Sequence, residues 1–338
     1  MTRAPQHPTR RPGAGRIARS AVTRLLGGGS TTVFALLIVI FVGIFTMNPA
    51  FAQPPSMLAF AKQAAPLVVL AVGQYFVIVS GELDLSVGSL VGAQVVIAAA
   101  LIDGAESRTV PVLLLMVAFG VLVGLVNGLV TTVLRVPSII TTLGTMLVLY
   151  GAIRLWTGGA PTGALSEAFR RAGRGGIEGV PVVGQLPWAV LIAAAIAAAA
   201  VALMRAPYGR VLMATGDNDT AATYSGARVW RVRTTAFVLS SLLATVAGIL
   251  IGGFAGVTAQ VGEGLEFMAI TAVVLGGVVL GGGHGAVIAA VGGALAMEAL
   301  FTLFIQFDLP ATIQPTVQGL IIIAAVAYAA RRRSTHPS

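Results

Sequence analysis

Ten apolar stretches of about 17–25 residues follow one another along the chain, and no other feature limits its fold so strongly. They lie near 32–48, 64–80, 85–102, 110–134, 138–157, 187–204, 234–257, 265–282, 285–307 and 316–330. A bilayer offers backbone groups no water, so such stretches are satisfied as helices bonded within themselves. The expected fold is therefore an all-α polytopic membrane protein with about ten transmembrane helices, at least one of them broken or re-entrant. Only 10% of the residues are charged, against about a quarter in soluble domains. The 42 glycines suit close helix packing in lipid.

Composition also excludes chemistry. With no cysteine, neither a disulfide framework nor a thiolate metal or redox site is possible. Lys62 is the single lysine, so no GxxxxGK[ST] phosphate loop can form, and any ATP must be bound by another polypeptide. Three histidines without cysteine make a metal site improbable, and no cofactor is expected.

The net charge of +9 is explained by where the arginines fall. Arg3, Arg10, Arg11, Arg16, Arg19 and Arg24 precede the first stretch, five lie from Arg205 to Arg233, and Arg331 to Arg333 come last. With Arg135 these are 15 of the 21 basic residues. Placing those four segments in the cytoplasm satisfies the positive-inside rule, so a lipid membrane accounts for the charge without nucleic acid. Both termini are then cytoplasmic. Residues 1–31 read as a disordered basic tail, 32–330 as the membrane domain, 205–233 as its main cytoplasmic segment, and 331–338 as a second tail. The run Thr32 to Met47 with Ala50-Phe51-Ala52 imitates a cleavable signal, but its long leader favours an uncleaved first span. The outer loop from Gly158 to Leu186 has room for a short helix, and its Arg170, Arg171 and Arg174 face either solvent or an acidic partner.

Residues Ser80 to Gly92, SGELDLSVGSLVG, interrupt the apolar pattern. Glu82 and Asp84 are costly at membrane depth and imply a cavity or a partner, while the glycines and serines permit an unwound helix lining such a cavity. The same residues also make a capped helix start with Asp84 as N-cap. Both readings stand together. A faint echo lies 195 residues on, where Gly81, Leu85 and Gly88 correspond to Gly276, Leu280 and Gly283. Internal repeats of this sort occur in transporters.

Four blocks carry a family resemblance. SGELDLSVGS at 80–89 resembles the GGIDLSVGS block of the ribose-type sugar permeases of ABC importers, and NGLVTTVLRVPSIITTLGTM at 127–146 is similar to NGxxxxxLxVPSFIxTLGTM. GRVLMATGDNDTAATYSGA at 209–227 resembles GRxxxAxGGNxEAAxxSGI, and GLEFMAITAVVLGGVVLGGGHG at 264–285 resembles GxELDAIAAVVxGGxSLxGGxG. The likeness covers roughly residues 64 to 330. The chain departs from it at Glu82 (usually Gly), Thr220 (usually Glu), Met268 (usually Asp) and Glu298 (often Asn nearby).

The resemblance implies an ABC importer permease fold without enzymatic activity. Its partners would be ABC ATPase subunits, an extracytoplasmic sugar-binding protein and a second permease copy or paralogue, in a bacterial cytoplasmic membrane. It also implies that a short helix docks on the ATPase, with Gly216, Asp217, Asn218, Ala221, Ala222, Tyr224, Ser225 and Gly226 as the coupling residues. The residues agree: Gly216 to Asp219 are turn and N-cap types, and Gly226 is a helix stop. Candidates for the solute pathway are Gln74, Glu82, Asp84, Ser86, Ser89, Asn127 and Thr145, with Glu298 a further buried polar group. Asn127 also suits plain helix pairing. The rival expectation is a proton-coupled secondary transporter using Glu82, Asp84 or Glu298. An intramembrane enzyme is disfavoured, since HExxH, GxSxG and a cysteine nucleophile are all missing.

Overall fold

A computed structural model describes residues 29–334 apart from Ala259 and Ala311. Most of the expected 1–31 tail and the last four residues lie outside the described residues. Thirteen α-helices are described: α1 Gly29–Met47, α2 Pro54–Val79, α3 Val87–Ile102, α4 Thr109–Thr132, α5 Ser138–Thr157, α6 Glu167–Arg174, α7 Trp188–Arg205, α8 Pro207–Asp217, α9 Asp219–Tyr224, α10 Val229–Ala255, α11 Leu265–Leu275, α12 Val287–Gln306 and α13 Ile313–Ser334.

Six of these, α2, α4, α5, α7, α10 and α12, are long and apolar enough to cross a membrane. The other four apolar stretches form shorter apolar helices within α1, α3, α11 and α13. The expected span over 265–282 differs most, because α11 stops at Leu275 and a glycine-rich segment leads irregularly to α12. Among the described residues the chain departs from all-α in one place: between α6 and α7, strands β1 (Gly176–Val180) and β2 (Gly184–Pro187) pair antiparallel.

Helix α10, 27 residues long and so about 40 Å, is the central post, packed against α2, α3, α4 and α6. Its approach to α4 is set by glycine. A Cβ at Gly124 would lie 2.6 Å from the Val238 Cα, and one at Gly128 would lie 2.7 Å from the Thr234 Cα. Side chains there would force the helices apart, which is how small residues act in lipid, where no hydrophobic drive pulls helices together. The first turn of α10 begins at Val229, so the 205–233 segment ends in helix. Arg233 thus stands on a rigid element.

Between α2 and α3 the chain is unwound over residues 82–86. Its amides are satisfied by α5, whose Ser138 Oγ accepts from Leu83 N–H at 3.2 Å and Thr142 Oγ1 from Leu85 N–H at 3.0 Å. Irregular backbone at this depth persists only with such partners. A second irregular segment follows α10, and its Gly262 packs against Gly88 and Gly92 of α3. Gly92 lies ten residues, about 15 Å of helix, before the C-terminal end of α3 at Ile102. The 256–264 segment therefore folds back inward alongside α3.

Candidate functional site

The site is a line of hydrogen bonds through the break. Asp84 is buried and its Oδ1 accepts from the Ser86 N–H at 3.0 Å and the Ser86 hydroxyl at 2.6 Å. Its Oδ2 accepts from the Ser240 hydroxyl of α10 at 3.0 Å. Ser86 Oγ in turn accepts from Asn127 Nδ2 of α4 at 2.9 Å, and Asn127 Oδ1 accepts from Thr145 Oγ1 of α5 at 2.6 Å. Four elements that meet at the break are thus fixed to one carboxylate. A buried carboxylate is tolerable when so completely bonded.

Asp84, Ser86, Asn127 and Thr145 are brought together; the other candidates are not part of this line. Glu82 turns to the edge of the break, where Arg233 Nε is 3.3 Å from its Oε1. Glu298 is bonded to the Gln63 side chain, and Gln63 precedes Ser80 by seventeen residues along α2, about 25 Å of helix. Gln74 is buried, and neither atom of its amide has a partner. Ser89 lines a cavity of about 290 Å³ between α3, α5 and residues 261–266, together with Tyr150, Arg154, Glu263 and Glu266. In the cavity wall Arg154 lies against Tyr150, over its ring and on its hydroxyl.

Three further residues belong to the site. Ser138 and Thr142 share with Thr145 the spacing i, i+4, i+7, one polar face on α5, and this pattern was readable in the sequence. Ser240 gave no such signal, since only the packing of α10 brings it to Asp84.

In the basic 205–233 segment, Asn218 caps α9 by accepting from the Ala221 N–H at 2.9 Å. The helix ends in a Schellman arrangement, with Gly226 at φ 86° and the Ala227 N–H bonded to the Ala222 carbonyl. Tyr224 is 88% exposed whereas Ala222 is buried, so Ala222 seats the helix, Ala221, Tyr224 and Ser225 form its outer surface, and Asp217 is exposed at the end of α8. Gly216 packs on the Val79 carbonyl and the Gly283 N–H, at the foot of the break. Tyr208 ties α8 to α10 through a bond to the Val232 carbonyl at 3.3 Å, and burial pushes its phenol above the ordinary value.

Residues 56–326 match the family described as the permease component of the branched-chain amino acid transport system. The chain belongs to this family. The permease is also 34% identical over 310 residues to the autoinducer 2 import system permease protein LsrC of Enterobacter sp. (strain 638), covering 91% of this chain and 89% of that one. The LsrC of Klebsiella pneumoniae matches equally, at 34% identity over 91% of this chain and 88% of that protein. Against the Escherichia coli O9:H4 LsrC, identity is 31% over 89% of this chain and 87% of the relative. No solved structure gives a significant match. The permease is accordingly a multi-pass membrane subunit of an ABC importer; it moves a small solute while a separate ATPase subunit supplies the energy, and it is not itself an enzyme.

Proposed function

We propose that the permease carries a monosaccharide or similarly hydroxylated small solute inward across the bacterial cytoplasmic membrane, through the region around the break and the Ser89 cavity. The observation that carries this is the cavity. Its volume of about 290 Å³ lies at the small end of ligand pockets, about 300–1,000 Å³. Its polar wall of Ser89, Tyr150, Glu263 and Glu266 offers acceptors and donors suited to hydroxyl groups. The naming of the LsrC relatives as autoinducer 2 import permeases supports a small polar solute. Affinity would reside mainly in an extracytoplasmic binding protein, because a permease must release what it carries. The shorter helices within α1, α3, α11 and α13 complete ten crossings in this reading, with both termini in the cytoplasm.

Residues 216–226 serve as the ATPase docking segment in this proposal, supported by the exposed, doubly capped α9. Replacing them with a flexible linker should abolish co-purification of the ATPase subunit; undiminished association would remove the assignment. The proton-coupled alternative is disfavoured by the geometry of its three acids. Glu82 is ion-paired, Asp84 is fully bonded, and Glu298 is bonded to Gln63 near the other end of α2. Uptake by the reconstituted chain, driven by a proton gradient with no ATPase present, would reinstate it. Solute class is tested by ATP-driven uptake of ribose, autoinducer 2 and leucine by the complete complex. Saturable uptake of leucine alone would overturn the hydroxylated-solute reading.

A further inference from the structure

One guanidinium touches three parts of the transport machinery. Arg233, on the second turn of α10, places Nε 3.3 Å from Glu82 Oε1 and donates from the same nitrogen to the Ser80 carbonyl at 3.2 Å. Its Nη1 is 3.4 Å from Asp219 Oδ2, on the first residue of α9. Its Nη2 lies beside Gly81. The side chain is only 18% exposed, as is Glu82 at 16%, whereas Asp219 is 54% exposed. The inner arm of the bracket is therefore shielded from water and the outer arm is wet. Screening weakens exposed pairs far more than shielded ones, so the outer arm is the one that breaks first.

We propose that Arg233 is a positioning residue, a latch that fastens the broken segment to the docking helix and delivers movement of α9 to the Asp84 network. The inference rests on the docking role proposed for residues 216–226. Arginine suits the task because its planar fork holds several acceptors at fixed angles, which a lysine point charge cannot do. The segment it grips runs directly into the bonded line: Glu82 is two residues from Asp84, and Leu83 and Leu85 are bonded to α5. A tilt of α9 therefore pulls Arg233 or releases it, and the segment below follows. Glu82, at which the chain departs from the family block, gives this latch an inner carboxylate.

The test needs no solute. The chain contains no cysteine, so Ser89→Cys gives the permease subunit its one thiol, in the cavity, and labelling is read on that subunit within the full complex with its ATPase. Labelling by N-ethylmaleimide is compared with and without ATP plus orthovanadate. In the S89C parent the rate should change with nucleotide by at least about fivefold, the lower end of ordinary coupling between sites. In S89C/R233Q and S89C/D219N that change should vanish while the ATPase still co-purifies. Reversing the charge of all three members (E82R, R233E and D219R) should restore part of it, which loss of a purely structural contact would not. Asp219 is surface-exposed, so D219N keeps the test decisive even where R233Q fails to insert. Full nucleotide response in S89C/D219N and S89C/R233Q would overturn the latch and leave the importer reading intact. A parent reporter that ignores nucleotide would overturn the latch and remove the Ser89 cavity from the proposed pathway.

Discussion

Gly283 donates its backbone N–H to the Val79 carbonyl at 2.9 Å, joining the glycine-rich segment after α11 to the end of α2 just before the break. The two irregular segments that echo each other along the sequence therefore meet in space, and Gly216 of α8 fits against both. Backbone lies on backbone there, with no side chain between to absorb movement. The 216–226 segment, the break and the 276–286 segment consequently shift as one body or not at all.

Gly216→Ala should uncouple this contact. Its Cβ would collide with the Val79 carbonyl and come 2.5 Å from the Gly283 amide, atoms that cannot swing aside. Overpacking of this kind costs roughly 1–3 kcal/mol. The expected result is a lower melting temperature in detergent and at least tenfold slower uptake by the complex, tenfold being about 1.4 kcal/mol. An unchanged melting temperature with wild-type uptake would show that the contact is loose.

Asp84→Ala should be far more damaging than Asp84→Asn. Alanine strands the Ser86 and Ser240 hydroxyls and frees Ser86 to turn away from Asn127, so several buried groups lose partners together. At about 1–3 kcal/mol for each buried group left unpaired, the loss should come to about 2–4 kcal/mol. Asparagine keeps one acceptor and the shape, and should cost less than half as much. Thermal denaturation of the three purified proteins in one detergent checks the order; equal melting of the alanine and asparagine variants would refute the network's role.

Much of this architecture was legible from the residues, because hydropathy reports which stretches must bond to themselves. Asp84, Ser86, Asn127 and Thr145 were readable as polar exceptions in apolar runs, and the structure joins them. Arg233 was hidden, since an arginine at the edge of a basic segment looks like an orientation signal until Glu82 and Asp219 are seen on either side of it. The short α11 was also illegible: residues 276–282 are as apolar as a span, yet Gly277 and Gly282 take φ of 84° and 87°, a backbone that no helix contains. Hydropathy measures solvation and is blind to that choice. Glu298 is an isolated acid in the sequence, and only the fold brings Gln63 beside it.

Gly88→Ala probes the inner wall of the cavity region. An added methyl would strike the Glu266 carboxylate and the Gly262 carbonyl, pushing the inward-folded 256–264 segment away from α3. The carboxylate can give way but the carbonyl cannot. Uptake should fall at least tenfold, about 1.4 kcal/mol on the barrier, while ATPase co-purification stays unchanged, because the groups that the methyl strikes lie outside residues 216–226. Loss of co-purification would mean the disturbance travels through the whole bundle.

Gln74→Leu separates stability from function at a single buried position. Both atoms of the Gln74 amide lack partners, and an unpaired buried polar group costs about 1–3 kcal/mol. Leucine has nearly the same volume and nothing to satisfy, so the variant should melt several degrees higher. Under the proposed pathway, the use of such an amide is transient bonding to a passing solute or its water. Uptake by the Gln74→Leu complex should therefore drop several-fold despite the gain in stability. Higher stability with wild-type uptake would remove Gln74 from the pathway, and lower stability would mean that the amide already has a partner in the native membrane.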